Sequence, residues 1–349
     1  MSSTASPEPV QAHAPSGRWR RLLGNLGLSL ASLLIFVGMV ELALRWMGYG
    51  NVEIYEADPV VYWRLKPNQD CFTKVDHKPV HINAQGTRGQ DFQLPKPQGT
   101  VRILSLGDSR TFGWGLGEQE TYSAQLQDAL QKLLGPSRKV EVINAGVNAW
   151  SFPQMSAYFR NYALKLQPDY VLVGDANLWT QFSEENSPEF VRQFMRRVRL
   201  KNFLRHFALY HYVVEVKLND FYQRYRVKFI PVDPTQDTLF KQQQQRDPGA
   251  VFHKSLHQLC SVALSNRITP VLVYFPTKDQ EQRPIQKSLR DTKSKLSQEL
   301  KVPFVDLTPD LTGPGKDFYL DADPVHFNVE GNRIISQSVL RALTNLVPR

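Results

Sequence analysis

Five short apolar runs punctuate the chain from residue 100 onward: "VRILSL" (101–106), "VEVIN" (140–144), "YVLV" (170–173), "VLVYF" (271–275) and "PFVDL" (303–307). Each is mostly apolar and is the length of a buried strand. Between and after them lie longer stretches whose apolar residues recur every three or four positions, as on one face of a helix. These are "YSAQLQDALQKLL", "FPQMSAYFRNYALKL", "AVFHKSLHQLCSVALSN", "QKSLRDTKSKLSQEL" and, at the end, "NVEGNRIISQSVLRALTNL". Alternation of strands with helices predicts an α/β domain over residues 100–349, with a five-stranded parallel sheet covered by helices on both faces. In such a sheet, ligands bind beyond the carboxyl ends of the strands.

The first hundred residues read differently. Leu22–Val40 carries no charge, and as a helix it would reach roughly 28 Å, close to the ~30 Å hydrocarbon thickness of a bilayer. Extended to Trp46, it predicts a single transmembrane anchor over 22–46. Arg18, Arg20 and Arg21 precede the run, and Glu53, Glu56 and Asp58 follow it. The positive-inside rule then places the N-terminus in the cytoplasm and everything after residue 50 in the periplasm or outside the cell. A cleaved signal peptide is the alternative, but the run is longer than a usual signal core and no small-x-small cleavage site follows. Residues 1–21 read as a cytoplasmic disordered tail, too poor in apolar residues to order themselves. Residues 51–99, ending in the break "LPKPQGT", read as a small irregular subdomain.

Composition adds three points. The formal net charge is +9, and much of the excess lies in an insertion at about 183–246. There Arg192, Arg196, Arg197, Arg199, Lys201 and Arg205 are interleaved with apolar residues. For an exported domain this excludes nucleic acid as the expected partner and suggests an amphipathic helix on anionic headgroups, a groove for an acidic polymer, or a lid over the sheet rim; a solvated helix packed on the domain is the plainer reading. The two cysteines, Cys71 and Cys260, are candidates for a disulfide or for two buried free thiols. His253, His257 and Cys260 share helical spacing, but no glutamate follows His253 as a zinc protease motif needs, so no metal is predicted, and no organic cofactor either.

Candidate chemistry gathers on the predicted rim. Ser109 follows the first strand in "GDSRTFGWG"; Asn148 and Ala149 follow the second, Asp175 and Asn177 the third. Asp323 and His326 stand three apart in "DPVHFNVEGN", just before the last helix. A serine becomes a nucleophile when an imidazole takes its proton and a carboxylate fixes that imidazole's tautomer. Backbone N–H groups at Ser109 and Ala149, with the Asn177 amide, would stabilise the oxyanion. Arg110 could meet an anionic substrate, and facing solvent is the favoured expectation.

"GDSRTFGWG", "INAGVNAWS", "GDAN" and "DPVHFNVEGN" resemble, in order and spacing, the four blocks of the SGNH, or GDSL-type, hydrolase family. "YWRLKPN" and "INAQGTRG" resemble a segment of its membrane-anchored bacterial members. The resemblance implies a flavodoxin-like three-layer α/β/α sandwich and cleavage of acyl esters on sugars or lipids. It implies Ser109 as nucleophile with Gly107 and Asp108 in support, Asp323 and His326 as acid and base, and Asn177 in the oxyanion hole. The glycine of the second block falls on Ala149, or on Gly146 with a slip of three residues. The third block departs from its usual Gly-x-Asn-Asp, since Asp175-Ala176-Asn177 is followed by Leu178. Three functions follow: an esterase or deacetylase acting on small esters, lipid or envelope polysaccharide; an O-acyltransferase with a sugar hydroxyl as acceptor; or a binding factor that keeps the fold without turnover.

Overall fold

The computed structural model describes residues 17–52, 55–73, 77–177, 188–218, 221, 248–278, 284–321 and 323–347. Residues 1–16 of the expected tail, Leu178, and residues 183–187, 219–220 and 222–246 of the expected insertion lie outside the described residues.

A helix runs over Gly17–Trp46, so it begins inside the stretch expected to be tail. Its Trp19–Trp46 portion is long and apolar enough to cross a membrane. Residues 51–99, expected to be irregular, hold two antiparallel hairpins. β1 (Tyr55–Asp58) pairs with β2 (Tyr62–Leu65), and β3 (Gln69–Phe72) with β4 (Pro79–Ile82). The β-branched and aromatic residues of "VYWRL" favour this pleated, half-buried setting.

The sheet itself is built from β5 (Val101–Gly107), β6 (Val140–Gly146), β7 (Tyr170–Val173), β8 (Thr269–Tyr274) and β9 (Phe304–Asp306), in the spatial order β6-β5-β7-β8-β9. All neighbours are parallel. This is the flavodoxin-like order, whose reversal point lies between the first and third strands. Along each strand alternate side chains enter opposite layers, as the two-residue period requires. Leu104, Leu106, Val171, Val173, Leu272 and Tyr274 meet the helices Phe152–Asn161, Pro248–Ser265 and Pro284–Leu300. Ile103, Tyr170, Leu172, Val271 and Val273 meet Tyr122–Leu134 and Val329–Leu343. With both faces covered, polar groups reach solvent chiefly at the strand ends, which is where the chemistry must sit.

Candidate active site

β5 ends at Gly107, and Asp108 caps the four-residue helix Ser109–Phe112, its side chain accepting the Arg110 N–H. The turn is tight because two glycines let it lie on the sheet. A Cβ on Gly107 would come within 2.1 Å of Thr111 Oγ1, and one on Gly146 within 2.1 Å of the Phe112 nitrogen. Ser109 is thereby raised at the reversal point of the sheet.

The loop before the last helix meets it there. Ser109 Oγ lies 2.8 Å from His326 Nε2, and His326 Nδ1 lies 2.6 Å from Asp323 Oδ2. The other oxygen of Asp323 accepts the backbone N–H groups of Val325 (2.8 Å) and His326 (3.1 Å). Burial alone would raise this carboxyl, but the His326 hydrogen bond and charge and the two backbone donors outweigh it and hold it below the usual aspartate value. Asn328 caps the final helix by accepting the Gly331 N–H, which fixes where the loop ends. Serine, imidazole and carboxylate thus form one hydrogen-bonded line across residues 217 positions apart at its first link.

Ala149 follows β6 in a turn with φ +64°, a left-handed conformation that costs an alanine roughly 1 kcal/mol and suits glycine. The Asn177 N–H donates to the Trp150 carbonyl at 2.7 Å, so the loops after β6 and β7 lie side by side. Among the described residues nothing accepts the N–H of Ser109 or Ala149. The Gly146 N–H is taken up by the Asn144 side chain at 3.0 Å.

Arg110 does not face solvent. Its side chain is buried and chelates Asp108, with Nη2 2.8 Å from Oδ2 and Nε 3.1 Å from Oδ1. It also reaches Asp175 at 3.4 Å. Asp175 in turn binds the ammonium of Lys293 and accepts the Phe275 N–H at 2.8 Å. Desolvation opposes the charge on Arg110, but the carboxylates of Asp108 and Asp175 prevail and raise its pKa. Lys293 goes the other way: burial lowers its pKa against the pull of Asp175. Two acids and two bases therefore balance beneath the serine turn and the Asn177 loop. A charged residue after the serine suggested a surface position; the compensating Lys293, 183 residues later in the chain, gave no local signal.

Four further residues shape the site and were not singled out by sequence. Trp114 stacks on His326, ring centroids 5.6 Å apart and planes at 27°. Arg88 is buried and donates to the carbonyls of Phe112 (2.8 Å), Gly113 (2.9 Å) and Leu116 (2.6 Å), holding the turn that carries Trp114. Trp63 donates to the Asn148 carbonyl at 3.1 Å, and the Tyr55 hydroxyl accepts from the Asn148 amide at 2.7 Å. The hairpins of residues 51–99 thus brace both the serine turn and the Ala149 loop. Their sequence traces were the segments "YWRLKPN", which contains Trp63, and "INAQGTRG", which contains Arg88.

Cys71 and Cys260 are both free and buried, and desolvation pushes the Cys260 thiol up to about 12. His253 and His257 pair with Glu299 at 3.0 and 3.4 Å, and no cluster of three or more metal-ligating residues occurs among the described residues.

A flavodoxin-like parallel sheet with a hydrogen-bonded serine–histidine–aspartate line at its carboxyl rim has the form of a serine hydrolase. Residues 105–334 match the GDSL-like Lipase/Acylhydrolase family, and the chain belongs to that family, one of carboxylic ester hydrolases. No curated protein matches the sequence. Among solved structures, the chain is similar to a lipase/acylhydrolase from Enterococcus faecalis, with 18% identity and TM-score 0.45 over 71% of this chain and 97% of that one. An acetyl-xylooligosaccharide esterase from Geobacillus shares 17% identity, TM-score 0.43, over 69% and 93%. A GDSL-family lipolytic protein from Desulfitobacterium hafniense shares 16%, TM-score 0.43, over 70% and 99%.

Proposed function

We propose that the protein is a membrane-anchored serine esterase whose domain lies outside the cytoplasm, acting through an acyl-enzyme on esters of an envelope lipid or polysaccharide. The hydrogen-bonded line Ser109–His326–Asp323 carries this reading. Ser109 Oγ attacks the ester carbonyl while His326 Nε2 takes its proton. As the C–O bond to the alcohol breaks, His326 returns that proton to the leaving oxygen. Water, deprotonated by the same nitrogen, then attacks the acyl carbon and releases the acid and the free serine. Asp323 keeps the imidazole oriented and offsets its transient charge. The N–H groups of Ser109 and Ala149, with the Asn177 amide, take the oxyanion, an arrangement in which each donor contributes about 10²–10³ in rate. The Trp114 ring gives the acyl or sugar group an apolar wall beside His326. The Gly17–Trp46 helix supports the anchor, and the arginines at its start support a cytoplasmic N-terminus.

The test is fluorophosphonate labelling of the full-length protein followed by peptide mapping. Label on Ser109 that is lost in both Ser109→Ala and His326→Ala is the expected result. A folded wild-type protein that takes no label at Ser109 would overturn the nucleophile assignment and leave a binding role for the site.

A further inference from the structure

The outer end of the Gly17–Trp46 helix is locked to the segment that follows the basic helix Pro188–Arg205. Glu41 accepts the N–H groups of Ala208 and Leu209, both at 2.9 Å, and the Arg45 side chain donates to the His206 carbonyl. The Gly50 N–H donates to His211 Nδ1 at 3.0 Å, and Tyr49 packs edge-on against Tyr212. These contacts fix a depth. Glu41 immediately follows the uncharged run and lies five residues before Trp46, or roughly 7–8 Å below the end of the helix. Whatever binds Glu41 is therefore held at the boundary of the hydrocarbon.

Around that contact the surface is apolar and exposed. Leu200 is 60% exposed, Phe203 61% and Phe207 42%; Val213, Val214 and Leu218 continue the patch on the far side of Ala208. Phe203 and Phe207 pack against each other, ring centroids 5.6 Å apart, and leave their outer faces uncovered. Further along the same helix Arg192, Arg196 and Arg199 are exposed on one face, and among the described residues none has an acidic partner. Arg196 precedes Phe203 by two turns, or roughly 10 Å along the helix axis. Exposed apolar groups held at the acyl boundary by the Glu41 contact, with exposed arginines about a headgroup's depth away along the helix, fit the change from hydrocarbon to anionic headgroups across that boundary. The helix's inner face is already used: Phe190 and Phe194 pack on Tyr62, and Phe194 on Trp63.

Resting on the anchor reading above, we infer that Leu200, Phe203, Phe207, Val213, Val214 and Leu218 enter the outer boundary of the bilayer while Arg192, Arg196 and Arg199 bind anionic phospholipid headgroups. The domain is then seated on the membrane rather than swinging from it. Because the same helix packs on the β1–β2 hairpin, which braces the Ala149 loop, the seat also fixes the direction in which the rim faces.

The experiment uses the full-length protein, carrying one spin label at a time from Phe203→Cys, Val214→Cys, Leu30→Cys or Leu133→Cys, in liposomes of phosphatidylcholine with and without phosphatidylglycerol. The two native cysteines are buried and stay in place. Collision with oxygen and with a water-soluble nickel chelate is read for each label. Labels at 203 and 214 shielded from the chelate like the label at 30, with the label at 133 aqueous, are the expected result. Labels at 203 and 214 that are aqueous while 30 is shielded would overturn the seat and leave the anchor. An aqueous label at 30 would overturn the anchor and the inference with it. Replacing Arg192, Arg196 and Arg199 by glutamine should weaken the shielding in phosphatidylglycerol, by roughly fivefold in the contact equilibrium per arginine. Shielding that ignores both the arginines and the anionic lipid would overturn the headgroup assignment.

Discussion

Replacing Lys293 by methionine keeps the length of the side chain and removes its charge. The buried ammonium donates to the carbonyls of Val173 (3.3 Å), Gly174 (3.1 Å) and Val273 (2.6 Å) and to Asp175, so its three protons are fully engaged. In the variant, Asp175 keeps only the Phe275 N–H and the longer contact with Arg110. Removing one partner of a buried ion pair destabilises by about 3–5 kcal/mol, a large part of the ~5–15 kcal/mol by which a domain is stable. For a domain of this size that should lower Tm by roughly 6–20 °C. Calorimetry of Lys293→Met, Asp175→Asn and the double variant closes the cycle. The double variant leaves Asp108 and Arg110 paired with each other, and should recover at least about 2 kcal/mol relative to the summed singles. A Lys293→Met protein within about 1 kcal/mol of wild type, or strictly additive singles, would refute the view that four charges balance beneath the site.

Three shorter predictions concern the rim. Ala149→Gly keeps the N–H and relieves the left-handed alanine, so stability should rise by up to about 1 kcal/mol with kcat unchanged, read by denaturation and ester hydrolysis; a tenfold fall in kcat would show that the methyl itself matters. Tyr55→Phe removes the acceptor of the Asn148 amide and should lose about 0.5–1.5 kcal/mol, with a fall in kcat at constant KM if the hairpin holds the oxyanion loop. Asp323, held below its ordinary value, gives stability that is complete above about pH 4 and is lost as pH falls through its lower folded value. Asp323→Asn should therefore be less stable than wild type at about pH 6, with the gap closing toward about pH 2 in urea titrations; a gap that does not narrow would contradict that sign.

Local pattern determined the alternation of strands and helices, because apolar runs of strand length and 3.6-residue helical repeats are both local signals. All five strands lie where the apolar runs fall, and the order of elements left a parallel sheet as the consistent arrangement. The rim residues were legible for the same reason: Ser109, Ala149 and Asn177 each follow a strand end, and the Asp323–His326 spacing is set within one loop. What only tertiary structure decided was long-range. Whether Ser109 and His326 meet depends on how the last helix docks, and the burial of Arg110 depends on Asp175 and Lys293 arriving from other elements to neutralise it. Residues 51–99 looked irregular because their four-residue strands carry too few positions for a repeat to show; packed beside the sheet, they supply Tyr55, Trp63 and Arg88 to the serine and Ala149 loops. Local pattern can specify an element, but a charge in the core is specified only by the partner that makes its burial tolerable.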